Sequence, residues 1–179
     1  MKIIENAISD ELNHVCIQKM REMVQTSVWT GSHFTWERNL VKGIPASCLS
    51  SNQIDSEIQE WILTEVRQHC PPEGGVSIHF NVWQPLTALN WHDDARYTFG
   101  ATIYLNEEWG IDDGGIFLYQ EKEDEGTNHI KALVPKKNTM VINDKKEFHA
   151  VTPVAYEIKE PRLSIQIFGI GDKYLKNHA

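Results

Sequence analysis

The segment Asn90-Trp91-His92-Asp93-Asp94 contains H-x-D, with an imidazole at His92 and a carboxylate at Asp94, and a further imidazole, His149, follows 55 residues after Asp94. Two imidazoles and one carboxylate form the donor set that holds Fe(II) on one face and leaves positions open for a bidentate co-substrate and for dioxygen. Taken alone, H-x-D is a weak signal in a chain with eight histidines and 25 acidic residues. Arg162 adds to it. It stands 13 residues beyond His149 in the run PRLSIQIFG, where a strand would present Arg162 and Ser164 on one face. An arginine fork beside a hydroxyl suits the distal carboxylate of a dicarboxylate.

The chain that must position these groups has 179 residues, enough for one domain with one core. Hydrophobic residues make up 41% and charged residues 23%, the composition of an ordinary globular protein. The net charge of -8 argues against nucleic acid as the partner, because proteins that grip phosphate backbones cluster Lys and Arg on one face. Three cysteines, Cys16, Cys48 and Cys70, form no C-x-x-C pair, so neither a disulfide framework nor a zinc site is expected, and a reducing cytoplasm fits best. There is no apolar leader at the start and no run of roughly 18 apolar residues, so secretion and a membrane span are not expected.

Leu12, Val15, Cys16, Met20, Met23 and Val24 recur at helical spacing from Ser9 to about Gln25, with Ser9 placed to cap the helix. Ile54, Ile58, Trp61, Ile62 and Val66 suggest a second helix over about 55–68, ending before Pro71 and Pro72. Between them, residues 26–51 read as a long loop with one strand at most. Seven short segments of strand character follow, at 76–83, 97–105, 115–119, 130–134, 139–143, 149–154 and 162–168. Over 76–83 the alternation places Ser77, His79, Asn81 and Trp83 on one face and Val76, Ile78, Phe80 and Val82 on the other. A mainly β sandwich or barrel with helices packed outside it is the expected class.

With H-x-D at 92–94, IYLN at 103–106, GGIFLY at 114–119, HAVTPV at 149–154 and RLS at 162–164, the chain resembles the prolyl-4-hydroxylase-like branch of the 2-oxoglutarate/iron(II) oxygenases. The resemblance covers about residues 76–170. It implies a double-stranded β-helix, or jelly roll, over about 73–172, preceded by a helical part over about 1–72 within a single domain. It also implies that His92, Asp94 and His149 bind iron and that Arg162 binds the C5 carboxylate of 2-oxoglutarate. Tyr104, in the family's YLN position, would assist that carboxylate, as would Ser164. Upstream, NVWQPLTALNWHDD resembles an Asn-x-Tyr-x-Pro-Gly pattern of the superfamily. Asn81 and Pro85 match it, Trp83 and Leu86 replace its tyrosine and glycine, and the Trp83 indole N–H is the donor left near the C1 carboxylate.

The cofactor set implied is Fe(II), 2-oxoglutarate and dioxygen, and the reaction is hydroxylation of a peptidyl prolyl group or a small amino-acid-like molecule. A cupin-like isomerase, or a dioxygenase that does not use 2-oxoglutarate, is the rival reading; it would keep the triad but have no use for Arg162 and Ser164. Arg96, Trp91 and His79 are candidate substrate contacts, Arg96 being equally suited to a salt bridge with a loop acid. Substrate recognition falls to the 26–51 loop and to the loops around 84–96 and 106–113. His14, His33, His69, His129 and His178 have no carboxylate at ligand spacing and read as surface or packing residues. Trp29, Trp36, Trp61 and Trp109 read as core or loop anchors, and EKEDEG at 121–126 as a solvated turn.

Overall fold

Elements follow in the order β1 (Lys2–Glu5), α1 (Asp10–Met23), β2 (Thr30–Gly31), α2 (Ser32–Thr35), β3 (Cys48–Ser51), α3 (Ser56–Val66), β4 (Gly75–Trp83), β5 (Leu89–His92), β6 (Gly100–Tyr104), β7 (Phe117–Tyr119), β8 (Lys131–Leu133), β9 (Thr139–Asn143), β10 (His149–Val151) and β11 (Arg162–Ile170) in a computed structural model. The structure describes residues 1–71 and 74–171, so Pro72 and His178 lie outside the described residues. All pairings between these strands are antiparallel. Seven strands form one sheet in the order β1-β9-β6-β11-β4-β3-β2, and four form a second in the order β5-β10-β7-β8. Together they make the jelly roll that the family resemblance implies.

The large sheet has two chemically different faces because its strands alternate. Ile78, Phe80 and Val82 of β4 and Leu163, Ile165 and Ile167 of β11 are buried with Leu12, Cys16 and Met20 of α1 and Ile62 and Val66 of α3 in one apolar cluster. The helices therefore cover the outer face of this sheet. α1 begins where expected, with the Ser9 hydroxyl accepting from the Leu12 N–H at 3.2 Å and donating to the Glu65 carboxylate of α3 at 2.8 Å. Of the residues on the opposite register, His79, Asn81 and Trp83 with Arg162 and Gln166 line a cavity between the sheets, and Ser164 shares their face. Trp83, Tyr104, Phe117, Tyr119, Val141 and Val151 pack in that inter-sheet layer.

Four strands lie outside the seven expected segments. β1 is hydrogen-bonded to β9 at one edge of the large sheet, while β3 on β4 and β2 on β3 extend the other edge. The segment read as a long loop thus contains two strands and the one-turn helix α2. These strands have two to four residues, too few for a period to show; the edge of a neighbouring strand supplies their pairing partners. β5, which ends on His92, is likewise a four-residue edge strand of the small sheet. The strand expected over 97–105 starts only at Gly100, because the Tyr97 N–H donates to the Asp94 carbonyl (2.9 Å) and closes a turn there. Among the described residues no helix is long and apolar enough to cross a membrane.

Phe80 is fully buried under the helices, whereas Phe34 on α2 is 88% exposed. Phe80→Ala is expected to cost about 3–5 kcal/mol of unfolding free energy and Phe34→Ala less than about 0.5 kcal/mol, as read by the urea midpoint at unchanged m.

Candidate active site

The last residue of β5 and the first of β10 are opposite one another in register, which brings His92 and His149 side by side. Asp94, two residues past β5, reaches between them. His92 Nε2 lies 3.7 Å from Asp94 Oδ1, and His149 Nε2 lies 3.6 Å from Asp94 Oδ2. One ligand atom from each residue falls within 4.8 Å of the other two. In both histidines the other nitrogen faces a backbone carbonyl, His92 Nδ1 at 2.8 Å from Asn90 O and His149 Nδ1 at 3.0 Å from Glu147 O. A carbonyl only accepts, so each Nδ1 carries the proton and each Nε2 lone pair is left for a metal. Burial, and then the neighbouring His92, push the His149 imidazole below its ordinary pKa, which keeps it in the neutral, ligating form.

Arg162, on the inner face of β11, is 1% exposed. Its Nη1 donates to the Gly115 carbonyl at 2.6 Å, and its guanidinium lies over the Trp83 ring, 4.1 Å from the centroid, and 5.4 Å from the Tyr104 centroid. Its Nε has no hydrogen-bond partner among the described residues. Burial lowers its pKa, but a guanidinium stays charged in proteins, so the cation is buried among aromatic rings without a described carboxylate against it. Burial also pushes the Tyr104 phenol up to about 12, leaving it protonated and able to donate. A single cavity of about 880 Å³ takes in Arg162, Tyr104, Asn81 and Trp83 at one end and His92, Asp94 and His149 at the other.

A sequence model of the 2OG-Fe(II) oxygenase superfamily matches residues 78–168, just over half of the chain. The chain belongs to this superfamily. A Pseudomonas putida prolyl-4-hydroxylase shares the fold with a TM-score of 0.72 and 17% identity, over 94% of this chain and 91% of that one. A prolyl hydroxylase from Trichoplax adhaerens, solved with a hypoxia inducible factor oxygen degradation domain peptide fragment, aligns with a TM-score of 0.75 and 14% identity, over 99% of this chain and 86% of that one. A 2OG-Fe(II) oxygenase family oxidoreductase from Burkholderia pseudomallei gives 0.63 and 13%, over 95% and 87%. At such identities the likeness is one of fold. None of the curated proteins matches this chain by sequence.

As a 2OG-Fe(II) oxygenase the protein uses Fe(II), 2-oxoglutarate and dioxygen, and the residues present fit both bound groups. The triad offers two neutral nitrogens and a carboxylate around one point, and the uncompensated cation at Arg162 calls for an anion. The remaining candidates are placed as follows. The Trp83 indole N–H donates to Ser164 Oγ at 3.3 Å, on the Arg162 side of the cavity, and so is not free for a carboxylate at the metal end. Asn81 is buried and its Oδ1 has no partner among the described residues. Arg96 is half exposed and ion-paired with Glu37 of the 26–51 segment, a different acid from its neighbour Asp93. Trp91 is 42% exposed at the cavity mouth. His79 is held in the wall, with Nε2 2.8 Å from Ser77 Oγ and Nδ1 3.5 Å from Ser50 Oγ, and burial lowers its pKa.

Four residues that the motifs do not single out shape this site. A Cβ on Gly100 would stand 2.5 Å from Asp94 Oδ2, so only glycine leaves room for the carboxylate. Gly115 has φ +59, which turns its carbonyl onto Arg162, and a Cβ there would press on the same side chain at 3.2 Å. Asn143 donates to the Glu147 carbonyl and accepts from the Glu147 N–H, both at 2.9 Å, fixing the turn whose carbonyl seats His149. Asn90 carries the carbonyl that seats His92, while its side-chain amide donates to the Asn39 carbonyl at 2.9 Å and the Lys42 carbonyl at 3.1 Å. Gly115 stands inside the GGIFLY run and Gly100 a few residues past H-x-D. The asparagines act through loops whose closure no spacing announces.

Gly100→Ala is expected to displace the Asp94 carboxylate and to weaken Fe(II) binding by about ten- to a hundredfold, the range typical for groups that seat a ligand, with the thermal midpoint little changed. Anaerobic Fe(II) titration checks it. In the same assay Asp94→Ala should lose iron retention and most turnover, whereas Asp93→Ala, whose Oδ1 accepts from the Ala95 N–H at 3.3 Å, should retain both.

Proposed function

We propose that this protein hydroxylates a peptidyl prolyl group or a small amino-acid-like substrate, with the peptide ranked first. The reaction consumes 2-oxoglutarate, dioxygen and substrate R–H and releases succinate, carbon dioxide and R–OH. His92, Asp94 and His149 hold the metal, and Arg162, assisted by Tyr104 and Ser164, holds the distal carboxylate of the co-substrate. Trp83 forms the floor on which the guanidinium lies. One observation carries this reading: a fully buried arginine without a described carboxylate partner shares a cavity with a preorganised two-histidine, one-carboxylate set. The rival isomerase reading gives that arginine no task.

Charge at the mouth favours a peptide over a free acid. Of the described residues lining the cavity, the Lys and Arg cations are Arg162, at the deep end, and Arg96, already paired with Glu37, while Asp93 adds a further negative charge. A free α-carboxylate would meet no unpaired cation there, whereas a peptide amide is neutral. The prolyl hydroxylase neighbours, one of them solved with a peptide, support the same choice. We read residues 1–179 as one oxygenase domain, since α1 and α3 share a core with the large sheet. We place it in the cytoplasm, where its three free cysteines would stay reduced.

Arg162 decides the reading. Truncating one partner of a buried, hydrogen-bonded charge pair costs about 2–5 kcal/mol, and each 1.4 kcal/mol is roughly tenfold. Arg162→Met should therefore raise the KM for 2-oxoglutarate at least about thirtyfold at saturating Fe(II), with iron binding little changed. Arg162→Lys should recover part of the loss, because one ammonium cannot make two parallel hydrogen bonds to a carboxylate. Succinate formation is the readout, and superimposed curves for wild type and both variants would remove Arg162 from the site. In a panel of proline-containing peptides and free amino acids, a peptide should give coupled succinate and a mass gain of one oxygen atom. Stimulation by free amino acids alone would reverse the ranking.

A further inference from the structure

Register stacks the inner face of the large sheet into rows that run from the buried arginine toward the metal ligands. Cys48, Trp83 and Arg162 form the first row, and Ser50, Asn81, Ser164 and Tyr104 the second. His79, Gln166 and Thr102 form the third, and Ser77, Phe168 and Gly100 the fourth. Gly100 is the residue against which the Asp94 carboxylate packs. A dicarboxylate anchored at Arg162 and reaching the metal must pass along the second and third rows.

The third row holds a donor that is already aimed. The Thr102 hydroxyl donates to Gln166 Oε1 at 2.6 Å, so the oxygen end of that carboxamide is occupied and its orientation is fixed. Its Nε2 is bonded to no described residue, and Gln166 lines the cavity. The groups around it are committed elsewhere: both His79 nitrogens face serine hydroxyls, and the Trp83 indole N–H donates to Ser164. In the second row Asn81 presents a second carboxamide, 4% exposed, with Oδ1 unpartnered. Asn81 could serve a ligand that has only acceptors to offer through its Nδ2 alone, so the donor already oriented on this path is that of Gln166.

We propose that Gln166, oriented by Thr102, is a positioning residue that donates its carboxamide N–H to the metal-end carboxylate of 2-oxoglutarate, the place the Trp83 indole does not fill. The proposal rests on the oxygenase reading above. Because a bound metal would supply the positive charge for that carboxylate, a neutral donor such as the Gln166 carboxamide suffices to set its orientation. Acceptance of the Thr102 proton by Oε1 polarises the amide and strengthens the N–H it presents.

The test is the charge-transfer band that forms when 2-oxoglutarate is added anaerobically to the Fe(II) protein, measured for wild type, Gln166→Leu, Gln166→Glu and Thr102→Val. Gln166→Leu should weaken 2-oxoglutarate binding about ten- to a hundredfold, the size of one hydrogen bond to a charged group, and shift the band, with Fe(II) affinity unchanged. Gln166→Glu should weaken it further by setting an anion against an anion. Thr102→Val should show a smaller loss with the same band shift, and it keeps the test decisive if the Gln166 variants fold poorly. If wild type gives no band, the oxygenase reading fails. If wild type and Arg162→Met behave as expected above but Thr102→Val and the folded Gln166 variants match wild type in affinity and band, this inference alone is overturned. A changed substrate KM with unchanged 2-oxoglutarate binding would overturn it as well, and would make Gln166 a substrate contact.

Discussion

A positive charge buried among aromatic rings is the constraint around which the inner half of this fold is built. Desolvating an ion costs several kcal/mol even after relaxation, and the protein offsets only part of this for Arg162. The Gly115 carbonyl takes one N–H, and the faces of Trp83 and Tyr104 supply quadrupolar attraction. Each contact imposes a requirement elsewhere. Gly115 must hold a positive φ and carry no side chain, and Trp83 and Arg162 must stay opposite each other on β4 and β11. What remains unsatisfied at Nε among the described residues is an energetic deficit that an anion placed there would remove, so the affinity of this point for an anion and the cost of folding the empty site are two readings of one interaction.

The other end of the cavity solves a different problem, holding in place three side chains from separate segments that could bind a metal. Backbone carbonyls do this for both histidines, and backbone is stiffer than side chain. Asn90 extends the arrangement outward. Its N–H donates to the Leu40 carbonyl at 3.0 Å and its amide reaches two further carbonyls of the same segment, so the exposed edge of β5 is closed by the 39–42 loop rather than by another strand. The loop that borders the cavity and the residue that seats His92 are thereby one unit, and Arg96 with Glu37 ties the same segment to the chain beyond Asp94.

How much of this could be read from the residues depends on the range over which each signal acts. α1 and α3 were legible because a buried helical stripe repeats within a few residues, and β4 because nine residues suffice to show alternation. His92, Asp94, His149 and Arg162 stood out because their side-chain chemistry is scarce and their order along the chain is shared with a known family. β1, β2, β3 and β5 were not legible, since strands of two to four residues at or next to a sheet edge take their conformation from the strand they pair with. The need for glycine at Gly100 arises from a carboxylate folded back across the Asp94–Tyr97 turn, a tertiary fact invisible to composition. The Trp83 indole was readable as a donor but not its direction, which follows from register with Ser164 one row on.

The alternation that made β4 readable also ties the site to stability. Along β11 the residues Leu163, Ile165 and Ile167 fill the core under the helices, while Arg162 and Gln166 line the cavity and Ser164 shares their face, so each successive residue serves the opposite purpose. A slip of one residue in the pairing of β4 with β11 would bury the polar set against α1 and α3 and turn the apolar set into the site. Register is therefore enforced twice, by the hydrophobic cluster outside and by the stacked partners of Arg162 inside. The active site is precise because the same strands that carry it cannot shift without losing their core, and no separate scaffold is needed to hold it.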